Sequence, residues 1–218
     1  MRVVIAGGHG KIALRLERLL TSRGDEAVGI IRKPEQAADL AGQGATAMVL
    51  DLERTDVDTL ARELVGADAV VFAAGAGPGS GAARKDTVDR AAAELLAAAA
   101  EAAGVRRYLL ISSMGASDDP APGTGEVFAA YLRAKAASEK ALRESDLDWT
   151  ILRPGRLTDV SGVGTVHLAR SVPRGSISRD DVAAVLMALL EEPRAIGQTL
   201  EVVGGDVPIA EAVAAATV

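Results

Sequence analysis

The 218 residues carry a net charge of −6, with 49% hydrophobic and 2% aromatic content, a balance that suits a buried sheet under alanine-rich helices and excludes a disordered chain. There is no cysteine, and His9 and His167 are the only histidines, which excludes disulfides, thiolate chemistry and multi-histidine metal sites. The acidic balance without a basic block argues against a nucleic-acid surface, and the longest alanine-rich stretch, 91–103, is too short to span a bilayer.

Arg2–Ala6 is a short run rich in valine and isoleucine that ends directly in glycines, the pattern of a buried strand; no leader is expected ahead of it. Lys11–Leu20 sets Ile12, Leu14, Leu16, Leu19 and Leu20 at helical spacing, and Gly24 is its stop. The alternation then repeats. A strand over Ala27–Ile31 leads to a short helix over Glu35–Leu40. A strand over Ala45–Leu50 leads to a helix over Val57–Leu64, and one over Ala67–Ala74 to a long helix over Thr87–Ala103. Arg107–Ser112 is a strand, Val127–Arg143 a helix, Trp149–Arg153 a strand, Asp180–Leu190 a helix and Thr199–Val203 a late strand.

Strands separated by helices imply right-handed crossovers, so the expected fold is α/β, a Rossmann-type doubly wound parallel sheet. A single domain over 1–218 is expected, with about 156–218 forming a short C-terminal substrate side. The glycine- and proline-bearing loops Gly75–Ala83 and Met114–Glu126 each follow a predicted strand. Ligands of open parallel sheets sit beyond the carboxyl ends of the strands, so these loops, with Thr158–Ser178, are expected to shape the pocket.

Gly7-Gly8-His9-Gly10-Lys11-Ile12-Ala13 lies at the first strand–helix junction. Gly7 permits a tight turn, Gly10 lets backbone approach a pyrophosphate, and the helix N-terminus presents free N–H groups with a partial positive charge. His9 is placed for cofactor contact or for exposure. The second strand ends Ile31-Arg32-Lys33, with no acid at its tip to take a ribose 2′-hydroxyl. Two cations there suit a 2′-phosphate, so NADP(H) is expected over NAD(H). Asp51, followed by Leu52, comes after the third strand; its carboxylate either accepts from the adenine amino group or forms an ordinary turn.

Tyr131 and Lys135 stand four apart in a predicted helix and share a face. An ammonium near a phenol favours the phenolate and suits proton exchange with a carbonyl or carbinol. Ser112 and Ser113 end the preceding strand-like run. Ser113, further toward the loop, is the better placed to polarise a substrate oxygen.

The order of these motifs resembles the atypical short-chain dehydrogenase/reductases of the small NAD(P)-binding, epimerase/dehydratase-like kind. The matching stretches are Val4-Ile-Ala-Gly-Gly-His-Gly-Lys-Ile12, Val70-Val-Phe-Ala-Ala-Gly75, Leu110-Ile-Ser-Ser-Met-Gly115, Tyr131 with Lys135, Asp148-Trp-Thr-Ile-Leu-Arg-Pro-Gly155 and Ile177-Ser-Arg-Asp-Asp-Val-Ala183. The resemblance implies that Gly7, Gly10, Lys11 and Ile12 hold the pyrophosphate and Arg32 the adenosine phosphate. It further implies that Ala73, Ala74 and Gly75 line the cofactor and that Pro154 and Gly155 flank the nicotinamide. Ser113, Tyr131 and Lys135 would be the catalytic set. The stretch after Gly155 is too short for the larger substrate domain of sugar-nucleotide epimerases.

The expected function is therefore an NADP(H)-dependent oxidoreductase acting on a small carbonyl, alcohol or conjugated substrate. A flavin- or tetrapyrrole-reducing enzyme and a non-catalytic NADP-binding redox sensor are the alternatives. A cytoplasmic protein, monomeric or homodimeric, is expected.

Overall fold

The computed structural model describes residues 1–77 and 79–217. Strand β1 (Arg2–Ala6) shows why its sequence reads as an unbroken apolar run. Val3 and Ile5 pack into the core on one face of the sheet, and Val4 and Ala6 into the core on the other. From β1 the chain passes through α1 (Lys11–Ser22) to β2 (Glu26–Ile31), then α2 (Ala37–Ala41) to β3 (Thr46–Val49). It returns across the sheet by α3 (Val57–Leu64) to β4 (Ala69–Phe72). Next come α4 (Gly81–Arg84), a π-helical stretch over Lys85–Ala91, α5 (Ala92–Ala103), β5 (Arg107–Ile111), α6 (Glu126–Arg143) and β6 (Asp148–Pro154).

The final third holds β7 (Arg156–Thr158), β8 (Thr165–Ala169), β9 (Ser176–Ser178), α7 (Arg179–Leu190), β10 (Gln198–Gly204), β11 (Val207–Pro208) and α8 (Ile209–Ala216). Nine strands form one sheet in the order β11-β8-β10-β6-β5-β4-β1-β2-β3, and β7 pairs with β9 apart from it. From β10 to β3 all neighbours are parallel; β8 runs antiparallel to β10, and β11 to β8. Helices α1, α7 and α8 cover one face, and α3, α5 and α6 the other. The chain moves outward in opposite directions from β1, so the boundary between β1 and β4 is the topological switch point where such sheets bind ligands.

The doubly wound α/β sheet is the expected one. The differences lie in what is short or shaped by distant contacts. The helix expected to begin at Thr87 is part of a helical run that begins at Gly81 and widens to π geometry over Lys85–Ala91. Glu53, far away in sequence, accepts from Arg84 and Thr87 and anchors that segment. Within the stretch from Thr158 to Ser178, β8 and β9 are two additional strands.

Candidate dinucleotide site and active site

The glycine loop is shaped by close backbone packing. Gly7 has φ +80°, and a Cβ on it would lie 2.6 Å from the Ala74 Cα in the loop after β4. Gly8 donates to the Ile30 carbonyl at 2.9 Å, and a Cβ there would lie 2.6 Å from the Cα of Gly29 in β2. The loop is thus clamped between its two neighbouring strands, which allow no side chain at either position. Gly10 donates to the Gly7 carbonyl at 2.8 Å and is the N-cap of α1 without a side-chain acceptor, so the first-turn amides of α1 are left for an anion.

A cavity of about 600 Å³ opens over this loop and crosses the switch point, a volume within the usual range for small-molecule sites. At one end it is lined by His9, Arg32, Gln36, Asp51, Leu52 and Glu53; in the middle by Gly7, Gly10, Ile12 and Ala73 to Gly77; at the other end by Lys85, Asp89, Ser112, Tyr131 and Lys135. A glycine cradle ahead of an uncapped helix, an elongated cavity and a cation at its far end fit a dinucleotide. Gly7, Gly10, Ile12 and the first-turn amides would hold the pyrophosphate, Arg32 the adenosine end, and Tyr131 with Lys135 would stand at the nicotinamide end.

Most of the expected cofactor residues meet here: Gly7, His9, Gly10, Ile12, Arg32, Asp51, Leu52, Ala73, Ala74, Gly75 and Lys135. Lys11, Lys33, Pro154, Gly155 and Ser113 do not line the cavity. The Lys11 ammonium instead pairs with Asp159 at 2.6 Å, and Lys33 stands 3.9 Å from Glu35. Gly155 is a packing glycine, because a Cβ on it would lie 2.4 Å from the Gly175 carbonyl oxygen. Of the loops expected to shape the pocket, Gly75–Ala83 contributes Gly75, Ala76 and Gly77, whereas neither Met114–Glu126 nor Thr158–Ser178 lines it. Asp51 accepts from the amide of Glu53 at 3.1 Å, a turn contact that leaves its carboxylate at the cavity wall.

Lys135 is 3% exposed. Its ammonium donates to the Ile111 carbonyl at the end of β5 at 3.0 Å and lies 3.4 Å from Asp89. Burial pulls its pKa below the ordinary lysine value, and the Asp89 carboxylate works against that. The expected depression of the Tyr131 pKa is not what the geometry gives. Burial pushes the phenol up to about 12, against a Ser113 hydroxyl that favours the phenolate and with the Asp89 charge adding to the rise. Lys135 sits 5.9 Å from the Tyr131 ring centroid, with its charge spent on Asp89 and a carbonyl. Ser112 lines the cavity, but its hydroxyl donates inward to Glu139 at 2.5 Å.

Three acids emerge only in the folded chain. Asp89 is buried; it receives Lys135 and accepts from the Ala76 amide at 3.2 Å, tying the π-helical stretch to the loop after β4. Glu139, fully buried in α6, accepts from Nε and Nη2 of Arg153 at 2.7 and 2.6 Å, from Arg143 at 2.8 Å and from Ser112. Burial raises its pKa, but Arg153, Ser112 and Arg143 outweigh that and hold it below the ordinary carboxylate value. Glu17 is buried in α1 between Ile12, Ala13, Leu16 and Leu20. All three stand on the apolar stripe of a helix, and an acid at a stripe position is the signal that could have marked them.

A glycine cradle at the first strand–helix turn, beneath an elongated cavity at the sheet's switch point, defines a dinucleotide-binding α/β domain. A family profile described as NAD(P)H-binding matches residues 7–193, and the chain belongs to that family, among the epimerase/dehydratase-like atypical short-chain dehydrogenase/reductases. It is 36% identical over 213 residues to YhfK of Bacillus subtilis (strain 168), an uncharacterized sugar epimerase, covering 97% of this chain and 98% of that one. The structure of a candidate NAD-dependent epimerase/dehydratase from Bacillus halodurans aligns with a TM-score of 0.90 at 37% identity, over 99% of each chain. ChuY, an anaerobillin reductase from Escherichia coli O157:H7, aligns with a TM-score of 0.80 at 26% identity, over 95% of this chain and 98% of that one. No helix among the described residues is long and apolar enough to cross a membrane.

Proposed function

We propose that the chain is an NADP(H)-dependent oxidoreductase acting on a small carbonyl, alcohol or conjugated substrate. The observation that carries this reading is that Tyr131 and Lys135 line the same cavity as the glycine loop, at the end away from Arg32. The bound cofactor supplies or accepts a hydride there. With its pKa pushed up to about 12, the Tyr131 phenol keeps its proton at neutral pH, which suits donation to a substrate oxygen during reduction. Ser113 stands off the cavity wall beside that phenol, so its role is to position Tyr131 rather than to touch the substrate. Lys135 fixes a positive charge under the site, held from below by Asp89 and Ile111.

The preference for the 2′-phosphate rests on Arg32. Glu53 accepts from Arg84 at 2.6 Å and from Thr87 at 2.7 Å, but from Arg32 only at 3.3 Å. Arg32 is therefore the least committed of the three and free to turn to a phosphate. Titration should give a lower Kd for NADPH than for NADH. Arg32→Ala should raise the NADPH Kd at least tenfold, about 1.4 kcal/mol, and barely move NADH. Tighter NADH binding by the parent chain would overturn the NADP assignment.

Turnover is read from loss of nicotinamide absorbance with carbonyls, quinones and flavins in turn. Carbonyl reduction that vanishes in Tyr131→Phe supports the proposed role of the phenol. Flavin or tetrapyrrole reduction untouched by that change supports the second reading, favoured by the likeness to ChuY. Tight cofactor binding without turnover of any substrate would mark a redox sensor instead.

A further inference from the structure

Two glycines beside the cradle are not explained by backbone conformation. Neither Gly8 nor Gly29 has a positive φ, so what their missing Cβ atoms supply is room. Glu17 of α1 takes part of it. Its Oε1 lies 3.0 Å from where a Cβ on Gly8 would stand and 2.5 Å from where one on Gly29 would. The side chain is wholly buried, and neither of its carboxyl oxygens has a hydrogen-bond partner among the described residues. The glycine loop is thus packed on a carboxyl that nothing in the chain satisfies.

The surrounding elements bring no charge to it. The loop presents Gly8, β2 presents Gly29, and α2 presents Leu40 against the same glycine. The ionisable side chains of these elements are engaged elsewhere. His9 of the loop and Asp39 of α2 face each other at 2.7 Å, and Glu26 of β2 takes Arg2. On α1 itself, Lys11 pairs with Asp159, and Arg15 and Arg18 act on Asp180 of α7. Burial alone sets the pKa of Glu17, with no charged neighbour contributing.

We infer that Glu17 is a positioning residue of the dinucleotide site: the glycine loop rests on its uncharged carboxyl, and the cofactor binds the form of the chain in which that carboxyl keeps its proton. The inference rests on the reading of the loop as a pyrophosphate cradle. A buried carboxyl without hydrogen bonds is tolerated neutral and strongly disfavoured charged. The donors of the loop are backbone amides already placed, that of Gly8 on the Ile30 carbonyl and that of Gly10 on the Gly7 carbonyl. An ionised Glu17 would compete for such amides and distort the cradle, and its charge would repel the pyrophosphate through a low-dielectric interior.

The test titrates the full chain with NAD⁺ and with NADP⁺ from pH 7 to pH 9 and reads binding by calorimetry. Both carry the pyrophosphate, so for both the Kd should rise about tenfold across that range, as follows from a carboxyl that titrates at about 8. At pH 8, two buffers of different ionisation enthalpy should reveal the uptake of about half a proton per cofactor bound. Glu17→Gln, which keeps the shape of the protonated acid and cannot ionise, should bind like the parent at pH 7, hold that Kd to pH 9 and take up no proton. A parent Kd that is flat in pH overturns the inference. So does a slope that survives Glu17→Gln, as titration of His9 or Lys135 in the cavity would give, or a slope confined to NADP⁺, which would belong to the 2′-phosphate. Failure of both dinucleotides to bind at any pH sinks the reading of the loop itself, whereas tight binding without proton uptake sinks this inference alone.

Discussion

Glu17 is wholly buried in α1 behind the glycine loop, and neither carboxylate oxygen has a hydrogen-bond partner among the described residues. Burial raises its pKa from 4.5 to about 8. Below pH 4.5 the carboxyl is protonated in the folded and the unfolded chain alike. Between 4.5 and 8 the unfolded chain releases a proton that the folded chain keeps, so unfolding is favoured as pH rises. Stability should fall across that window with a slope of up to about 1.4 kcal/mol per pH unit. Glu17→Gln has nearly the shape of the protonated acid and cannot ionise. Denaturant unfolding of this variant should be flat in pH over the window, relative to the parent, and more stable than the parent at pH 7 to 8. A parent whose stability rises through the window, or a variant that shows the same slope, would contradict the assignment.

Among the elements, α6 carries the most site chemistry, and besides the Lys135 bond to Ile111 it is tied to the sheet by a buried ion pair. Glu139 joins α6 to Arg153 of β6 and to Ser112 just past β5, and so fixes the height at which Tyr131 and Lys135 meet the cavity. Breaking a buried pair by removing one partner leaves an uncompensated charge and costs about 3–5 kcal/mol. Glu139→Ala should cost that much by denaturant titration, and Ser112→Ala only about 1 kcal/mol, the value of one hydrogen bond. Equal effects would mean that the serine, not the ion pair, anchors the helix. Long elements were legible in the sequence because repeated burial imprints a period on it: β1, α1 and α6 read as what they are within a few residues. β7 and β9, three residues each, are too short to show a period, and they exist because they pair with each other. The glycine cradle and Tyr131 with Lys135 were legible as local motifs. Asp89 and Glu53 were not, because their partners lie on other elements and a sequence shows no distance between elements.

At the scale of the molecule, the cavity bridges the two halves of the sheet. One end rests on residues that follow β2 and β3, and the other on residues around β5 and α6. A dinucleotide lying along it would contact both halves and bind only the folded chain. Mass action then stabilises the fold by about 2.7 kcal/mol at a hundred times the Kd. For a chain of this size each kcal/mol moves the Tm by about 2–4 °C, so NADP⁺ at that concentration should raise Tm by about 5–10 °C. The Arg32→Ala variant separates the 2′-phosphate from the rest of the ligand. If Arg32 holds that phosphate, a fixed NADP⁺ concentration shifts the variant by less than the parent, while NAD⁺ shifts the two equally. The tenfold loss of affinity proposed for Arg32→Ala removes about 1.4 kcal/mol of the stabilisation, or about 3–5 °C of the shift. Lys33 controls for charge alone: it sits next in sequence but off the cavity wall, so Lys33→Ala should leave the NADP⁺ shift within about 1 °C of the parent's. A Lys33 effect as large as that of Arg32 would mean that the tip of β2 attracts phosphate by general charge, and that the guanidinium does not bind it directly.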